Sequence, residues 1–128
     1  IAKEAYLEYF RKMHQLFPKC KKMLMAVRNQ IASSHHTLSG LLYDAVEDQL
    51  YTTRIYDIEP IVDPMGVGDA FIAAYIHAHQ KWGDKNQYCL DFSLSASAIK
   101  NTVPGDQNLV TEEEIINNMT SSGGRIQR

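Results

Sequence analysis

The stretch Ile61-Val62-Asp63-Pro64-Met65-Gly66-Val67-Gly68-Asp69-Ala70-Phe71 constrains the fold more than any other part of the chain. Two β-branched residues close a strand-like run, Asp63-Pro64 and Gly66-Val67-Gly68 turn the chain, and Ala70 to Ile76 reads as helix. A glycine-rich turn directly before a helix leaves backbone N–H groups without intrahelical acceptors. They converge on one small volume at the positive end of the helix dipole. That volume suits an anion, a phosphate first of all, and glycines at 66 and 68 keep Cβ atoms out of it. Asp69 repels a phosphate and is out of place in a plain anion site. Beside a phosphate cradle it makes sense as the base that takes the proton of an attacking hydroxyl. The same residues also fit a plain helix start, because Asp is a favoured N-cap and Gly-x-Gly a common turn.

The surrounding chain is of ordinary globular composition. Its 128 residues suffice for one domain with a modest core. A net charge of −2 offers nothing to nucleic acid or an anionic membrane. No run of about 18 apolar residues is present, and Ile1-Ala2-Lys3-Glu4 is neither a signal peptide nor a translation start, which points to a fragment or a processed chain. Cys20 and Cys89 lie far apart in no metal-ligand spacing and read as reduced, buried residues of a cytoplasmic protein.

In chain order, a 3.6-residue apolar stripe predicts a helix from Ala2 to about Phe17, ended by Pro18. Met23 to Val27 is a short apolar run, expected as a strand buried on both faces of a parallel sheet. Arg28 and Asn29 then fall beyond its carboxyl end, where open α/β sheets meet phosphates. Ile31 to Ser39 reads as a loop, and its neighbouring His35 and His36 cannot easily share a metal. Gly40–Ala45 and Gln49–Tyr56 predict an antiparallel hairpin. A helix is expected from Asp69 to about Trp82, with His77 and His79 on different faces, and a second from Lys85 to about Asn101. The small-residue centre of that second helix, Ser93 to Ala98, permits close approach of another helix or of a flat ligand. Thr111-Glu112-Glu113-Glu114 opens a last short helix as a capping box, and residues 121–128 read as a flexible tail after a single unit over 1–120.

Asp63-Pro64-Met65-Gly66-Val67-Gly68-Asp69-Ala70-Phe71 resembles the C-terminal signature of the PfkB (ribokinase-like) carbohydrate kinases, D-T-x-G-x-G-D-x-F. The likeness extends to Ala26-Val27-Arg28, Gly40 to Asp44 and Ala98 to Asp106. Within the family it is nearest to the 2-keto-3-deoxygluconate kinases, through Gly105 to Val110 and the closing Gly124 to Arg128. The resemblance implies the C-terminal portion of a three-layer α/β/α fold with a β-hairpin. It implies ATP-dependent phosphorylation of a sugar or sugar-acid hydroxyl, with ATP and Mg²⁺, and a monovalent cation such as K⁺ as a further ion. It implies Asp69 as catalytic base and Gly66, Val67 and Gly68 as an anion hole. Arg28, Leu94, Ala98 and Asn101 would meet the nucleotide, and Asp63 would approach the monovalent-cation loop. Nucleic acid and membrane are not among the implied partners, and a homo-oligomer is compatible with the full-length protein. Pro64 and Met65 depart from the usual hydroxyl residues, and Ala26 from the usual strand-end Thr. Family members are longer, so the chain is expected to carry the nucleotide side and the base without the sugar pocket. The alternative from another class is a non-catalytic α/β phosphate-binding or assembly module.

Overall fold

Period-two alternation organises the middle of the chain. Met23, Met25 and Val27 share one side of a sheet with Leu41 and Tyr43, while Leu24 shares the other with Leu38 and Leu42, as pleated strands require. The computed structural model describes residues 3–32, 35–59, 67–101 and 111–120, with backbone only for Val67. Strand β1 (Lys22–Ala32) and strand β2 (His35–Asp44) pair antiparallel, from Lys22 opposite Asp44 to Ala32 opposite His35, with an irregularity between Gln30 and Ala32. Strand β3 (Gln49–Thr52) pairs antiparallel with Leu41–Asp44, and strand β4 (Tyr56–Ile58) with His36–Leu38. β2 is therefore the middle strand, with β1 on one side and β3 and β4 on the other.

Helices cover both faces. On one, helix α1 (Lys3–Leu16) buries Phe10 against Leu41, Tyr43 and Leu50, and the Phe10 and Tyr43 rings stack with centroids 5.8 Å apart. On the other lie helices α2 (Val67–Trp82) and α3 (Asn86–Lys100); Phe71, Leu90, Leu94 and Ala98 close over Leu38, Leu42, Tyr56 and Ile58. Helix α4 (Glu112–Thr120) sits outside α3, where Ser95 Oγ donates to the Ile115 carbonyl at 2.8 Å. Thr111 caps α4, its Oγ1 accepting the Glu114 N–H at 3.1 Å. The expected α/β/α layering is present. α3 can lie directly on β2 because Gly40 has no side chain: a Cβ there would stand 3.3 Å from Leu94 Cδ1 and 3.4 Å from Leu90 Cδ1. The small residues of α3 thus serve close packing, and every residue from Phe92 to Lys100 is buried. No helix among the described residues is long and apolar enough to cross a membrane.

Three expectations are corrected. Met23–Val27 does not form a short strand buried on both faces of a parallel sheet; it belongs to an eleven-residue strand, paired antiparallel with β2 and half-buried or exposed along its length. The strand buried on both faces is β2, continuously so from Leu38. Residues 35–39 are its first half and not a loop. The polar His35-His36-Thr37 hid this; His36 and Thr37 are paired on both sides, with β1 and β4, and His35 with β1. Cys20 is only half-buried, its thiol 3.2 Å from the Lys22 carbonyl, whereas Cys89 is buried. Ile61 and Val62, the expected parallel neighbour, lie outside the described residues.

Candidate functional site

α2 and α3 form a helical hairpin, and its geometry decides which residues meet. α2 ends at Trp82, and Gly83 takes the left-handed conformation (φ +53°) while its N–H still bonds the His79 carbonyl at 2.9 Å. Three residues later, at Asn86, α3 starts back along α2, so Ala78 packs near Cys89 and Phe71 near Leu94 and Ala98. The N-terminus of α2 therefore lies beside the C-terminus of α3. Val67, Gly68 and Asp69 form the first turn of α2, starting two residues earlier than the sequence predicts. Their N–H groups are among those a helix leaves unpaired at its start. Gly68 and Asp69 are exposed, and a Cβ on Gly68 would meet nothing within 4 Å. Gly66 and Asp63 lie outside the described residues.

Asn101, the C-cap of α3, is fully buried at this end, and its Nδ2 donates to the Ser97 carbonyl at 3.0 Å. Its Oδ1 has no hydrogen-bond partner. Across from it on β2 stands His36, 2 % exposed, whose Nε2 is likewise without a partner. Burial holds the His36 imidazole below its usual proton affinity; the charges of Arg28 and His35 push the same way, and the neighbouring Asn101 amide opposes them.

Arg28 needs a correction of reason. It does not lie beyond a strand end: β1 continues past it, and Arg28 is an exposed residue paired with Leu38. Cross-strand partners share a face, so Arg28 stands on the α2–α3 side of the sheet, near His36. Leu94 and Ala98 are walled into the interior with Leu38, Tyr56 and Ile58 and are 0 % exposed. Lys100, 1 % exposed, shares the same end of α3.

The structure thus brings Val67, Gly68, Asp69, Asn101 and Arg28 to one end of the helical layer, and adds two residues to which the sequence assigned no role there, His36 and Lys100. His36 was legible in principle: His36, Leu38, Gly40 and Leu42 continue the alternation of the buried strand back to its start. The cavity of about 170 Å³ between Arg54, Tyr56, Gln87, Asp91 and Met119 lies toward the other end of α3 and α4 and touches none of these residues.

Solved structures resemble this chain closely. A 2-dehydro-3-deoxygluconokinase from Thermotoga maritima superposes with a TM-score of 0.86 at 27% identity, over 94% of this chain and 35% of that one. A PfkB family carbohydrate kinase from Listeria grayi gives 0.82 at 29% identity, over 88% of this chain and 34% of the other. A protein from Enterococcus faecalis, at 19% identity and a TM-score of 0.73, shows the fold alone. The chain spans about a third of the length of these structures. No family model and no curated protein matches it. The resemblance to PfkB carbohydrate kinases is borne out, and so is the fold, as part of a ribokinase-like α/β architecture.

Proposed function

We propose, with likeness to the PfkB carbohydrate kinases as the premise, that this chain carries the nucleotide side and the catalytic base of an ATP-dependent kinase acting on a sugar or sugar-acid hydroxyl. The observation that carries the proposal is the start of α2, where an exposed carboxylate follows a glycine with open space around it, at a helix N-terminus. The likeness to a 2-dehydro-3-deoxygluconokinase supports a sugar acid as the acceptor.

In this reading Asp69 accepts the proton of the attacking hydroxyl. The N–H groups of Gly66, Val67 and Gly68 donate to the oxygens of the transferring phosphoryl, where negative charge concentrates. Arg28 meets the nucleotide phosphates, and Asn101 meets the base. Leu94 and Ala98, expected to meet the nucleotide, are 0 % exposed core residues, and no nucleotide contact is proposed for them. Mg²⁺ is proposed to arrive on the triphosphate. When bound there, Mg²⁺ offsets the charge of the β- and γ-phosphates. Asp63 is proposed for the monovalent-cation loop on the strength of the sequence motif alone.

The test is Asp69→Asn in the full-length polypeptide. Asn still caps a helix, so melting temperature and nucleotide affinity stay close to wild type. Turnover, followed by ADP release with a panel of sugar acids, falls roughly 10²–10⁴-fold, the usual contribution of a general base. Turnover near that of wild type rules out the base assignment and favours a phosphate-binding module.

A further inference from the structure

The cavity of about 170 Å³ between residues 52–56 and helices α3 and α4 carries one charge of each sign, Arg54 and Asp91. Arg54 is tied through Nη2 to the Asn118 carbonyl at 2.8 Å and lies over the Tyr56 ring, 4.6 Å from its centroid. Asp91, half-buried on α3, accepts Gln87 Nε2 at 3.0 Å, while the same nitrogen donates to the Thr52 carbonyl at 2.9 Å. That neutral amide is its hydrogen-bond partner, and Asp91 belongs to no ion pair among the described residues. Burial pushes the Asp91 carboxyl up, and the Gln87 amide and the Arg54 charge draw it only partly back. Asp44, Asp48 and Glu112, by contrast, are drawn down by partners that the chain itself supplies. A carboxylate taken out of water without a cation is costly to keep. One that also lines a cavity marks a place for a ligand.

We propose that this cavity is a second ligand site and takes a small zwitterion of amino-acid size, its ammonium group donating to the Asp91 carboxylate and its carboxylate turned to the Arg54 guanidinium. Cofactor sites run to about 300–1,000 Å³, so this one is too small for a nucleotide. A simple amine satisfies Asp91 and is repelled by Arg54; a simple carboxylate meets the reverse. A molecule carrying both charges suits both residues. The half-buried Met119 gives the wall an apolar part, which suits a short aliphatic side chain. The site lies apart from the proposed nucleotide site and does not depend on it.

The experiment is calorimetric titration of the full-length polypeptide with L-valine, isobutylamine and isovalerate in turn, beside thermal melts. The two analogues are valine without its carboxylate and valine without its ammonium group. L-Valine saturates a single site and raises the melting temperature. Each analogue binds about tenfold more weakly or not at all, the loss expected when a charge-assisted hydrogen bond is removed. Asp91→Asn keeps an oxygen for Gln87 Nε2, so its melting temperature holds or rises, yet its valine affinity falls about tenfold. Glu113→Gln, which removes an exposed charge of α4 outside the cavity, leaves that affinity as it is. An absence of saturable heat with valine overturns the proposal. So does undiminished valine affinity in a folded Asp91→Asn protein; if that variant fails to fold, Met119→Phe, which fills the cavity and keeps both charges, decides in its place. Isobutylamine binding as tightly as valine takes Arg54 out of the site and overturns the zwitterion. A loss in Glu113→Gln as large as that in Asp91→Asn reduces the effect to net charge and overturns the proposal too. ATP affinity enters none of these outcomes, so the proposed function stands or falls separately.

Discussion

The two ends of α3 bury similar polar side chains and finish them differently. At the N-terminal end, Asn86 Nδ2 donates to Asp44 Oδ2 at 2.8 Å and reaches Glu47 Oε1 at 3.4 Å. Asp44 Oδ1 accepts the N–H groups of Val46 and Glu47 at 3.0 and 3.2 Å, and Tyr51 donates to Glu47 at 2.8 Å. Only Asn86 Oδ1 is left over in this cluster. At the C-terminal end, Asn101 Oδ1 and His36 Nε2 have no partner, and the first turn of α2 beside them carries unpaired N–H groups. A polar cluster that only holds a fold is closed by the chain itself. Each end keeps one asparagine amide oxygen without a partner, so what sets the C-terminal end apart is the exposed first turn of α2 beside it.

The largest effect that sharpens this contrast is expected at the closed end. Burial alone pushes the Asp44 carboxyl up, yet the Asn86 amide, the N–H groups of Glu47 and Val46, and the Lys22 charge together hold it below its usual value. Asp44→Ala strips the acceptor from three donors and should cost about 2–3 kcal/mol of stability, the penalty for buried groups left unpaired. Chemical denaturation measures that loss. ATP affinity, extrapolated to the folded fraction, should stay unchanged. A loss of affinity as large as the loss of stability erases the distinction between the two ends.

The open end predicts the reverse pattern. A Cβ at Gly68 meets nothing within 4 Å of the folded chain, and its backbone is helical. Gly68→Ala should therefore leave stability the same or raise it by up to about 1 kcal/mol, since Ala is the better helix former. Affinity for Mg·ATP should fall on the order of tenfold, about 1.4 kcal/mol, because the methyl enters the phosphate volume. Retained affinity in a well-folded variant makes Gly68 a glycine of convenience.

Legibility in the sequence followed local physics. The Thr111 cap of α4, the end of α2 at Trp82 and the amphipathic α1 are set by residues within a few positions of one another and stand as predicted; the hairpin does so only in part, because the expected strand Gln49–Tyr56 breaks after Thr52 and Tyr56 opens β4. Asp69 and Gly68 were legible for the same reason, as residues of one turn. The partnership of β1 with residues 35–39 was hidden. His35-His36-Thr37 gives no apolar alternation, and the pairing is justified by contacts to β4 and α3 that are distant in sequence. His36 was missed with its strand. Arg28 was found by a rule about parallel sheets that does not describe β1, yet the antiparallel register carries it to the same face.

The smallest expected effect is at α1, on the opposite face of the sheet, where a polar cluster is finished in solvent. Arg11 holds Asp48 through Nε at 3.0 Å and Nη2 at 2.7 Å, and Tyr43 Oη donates to the same carboxylate at 2.6 Å. The Arg11 guanidinium first, and the Tyr43 hydroxyl second, draw the Asp48 carboxyl down from 3.8 to about 2. A carboxyl whose value is depressed by folding adds stability that is fully present above its unfolded value, and that stability is lost as pH falls through the folded one. The window here therefore runs from about pH 4 down to about pH 2. Both partners are half-exposed, so the contribution is small and weakens with salt. Asp48→Asn removes the charge while keeping a residue that tolerates the left-handed conformation Asp48 adopts (φ 54°). The melting temperature of wild type should exceed that of the variant at neutral pH, and the two should converge as acid is added across that window. A difference that persists unchanged to about pH 2 means that Asp48 acts through turn geometry and not through its charge. In either case ATP affinity should be untouched, because this cluster, like the one at Asp44, is closed by the chain that built it.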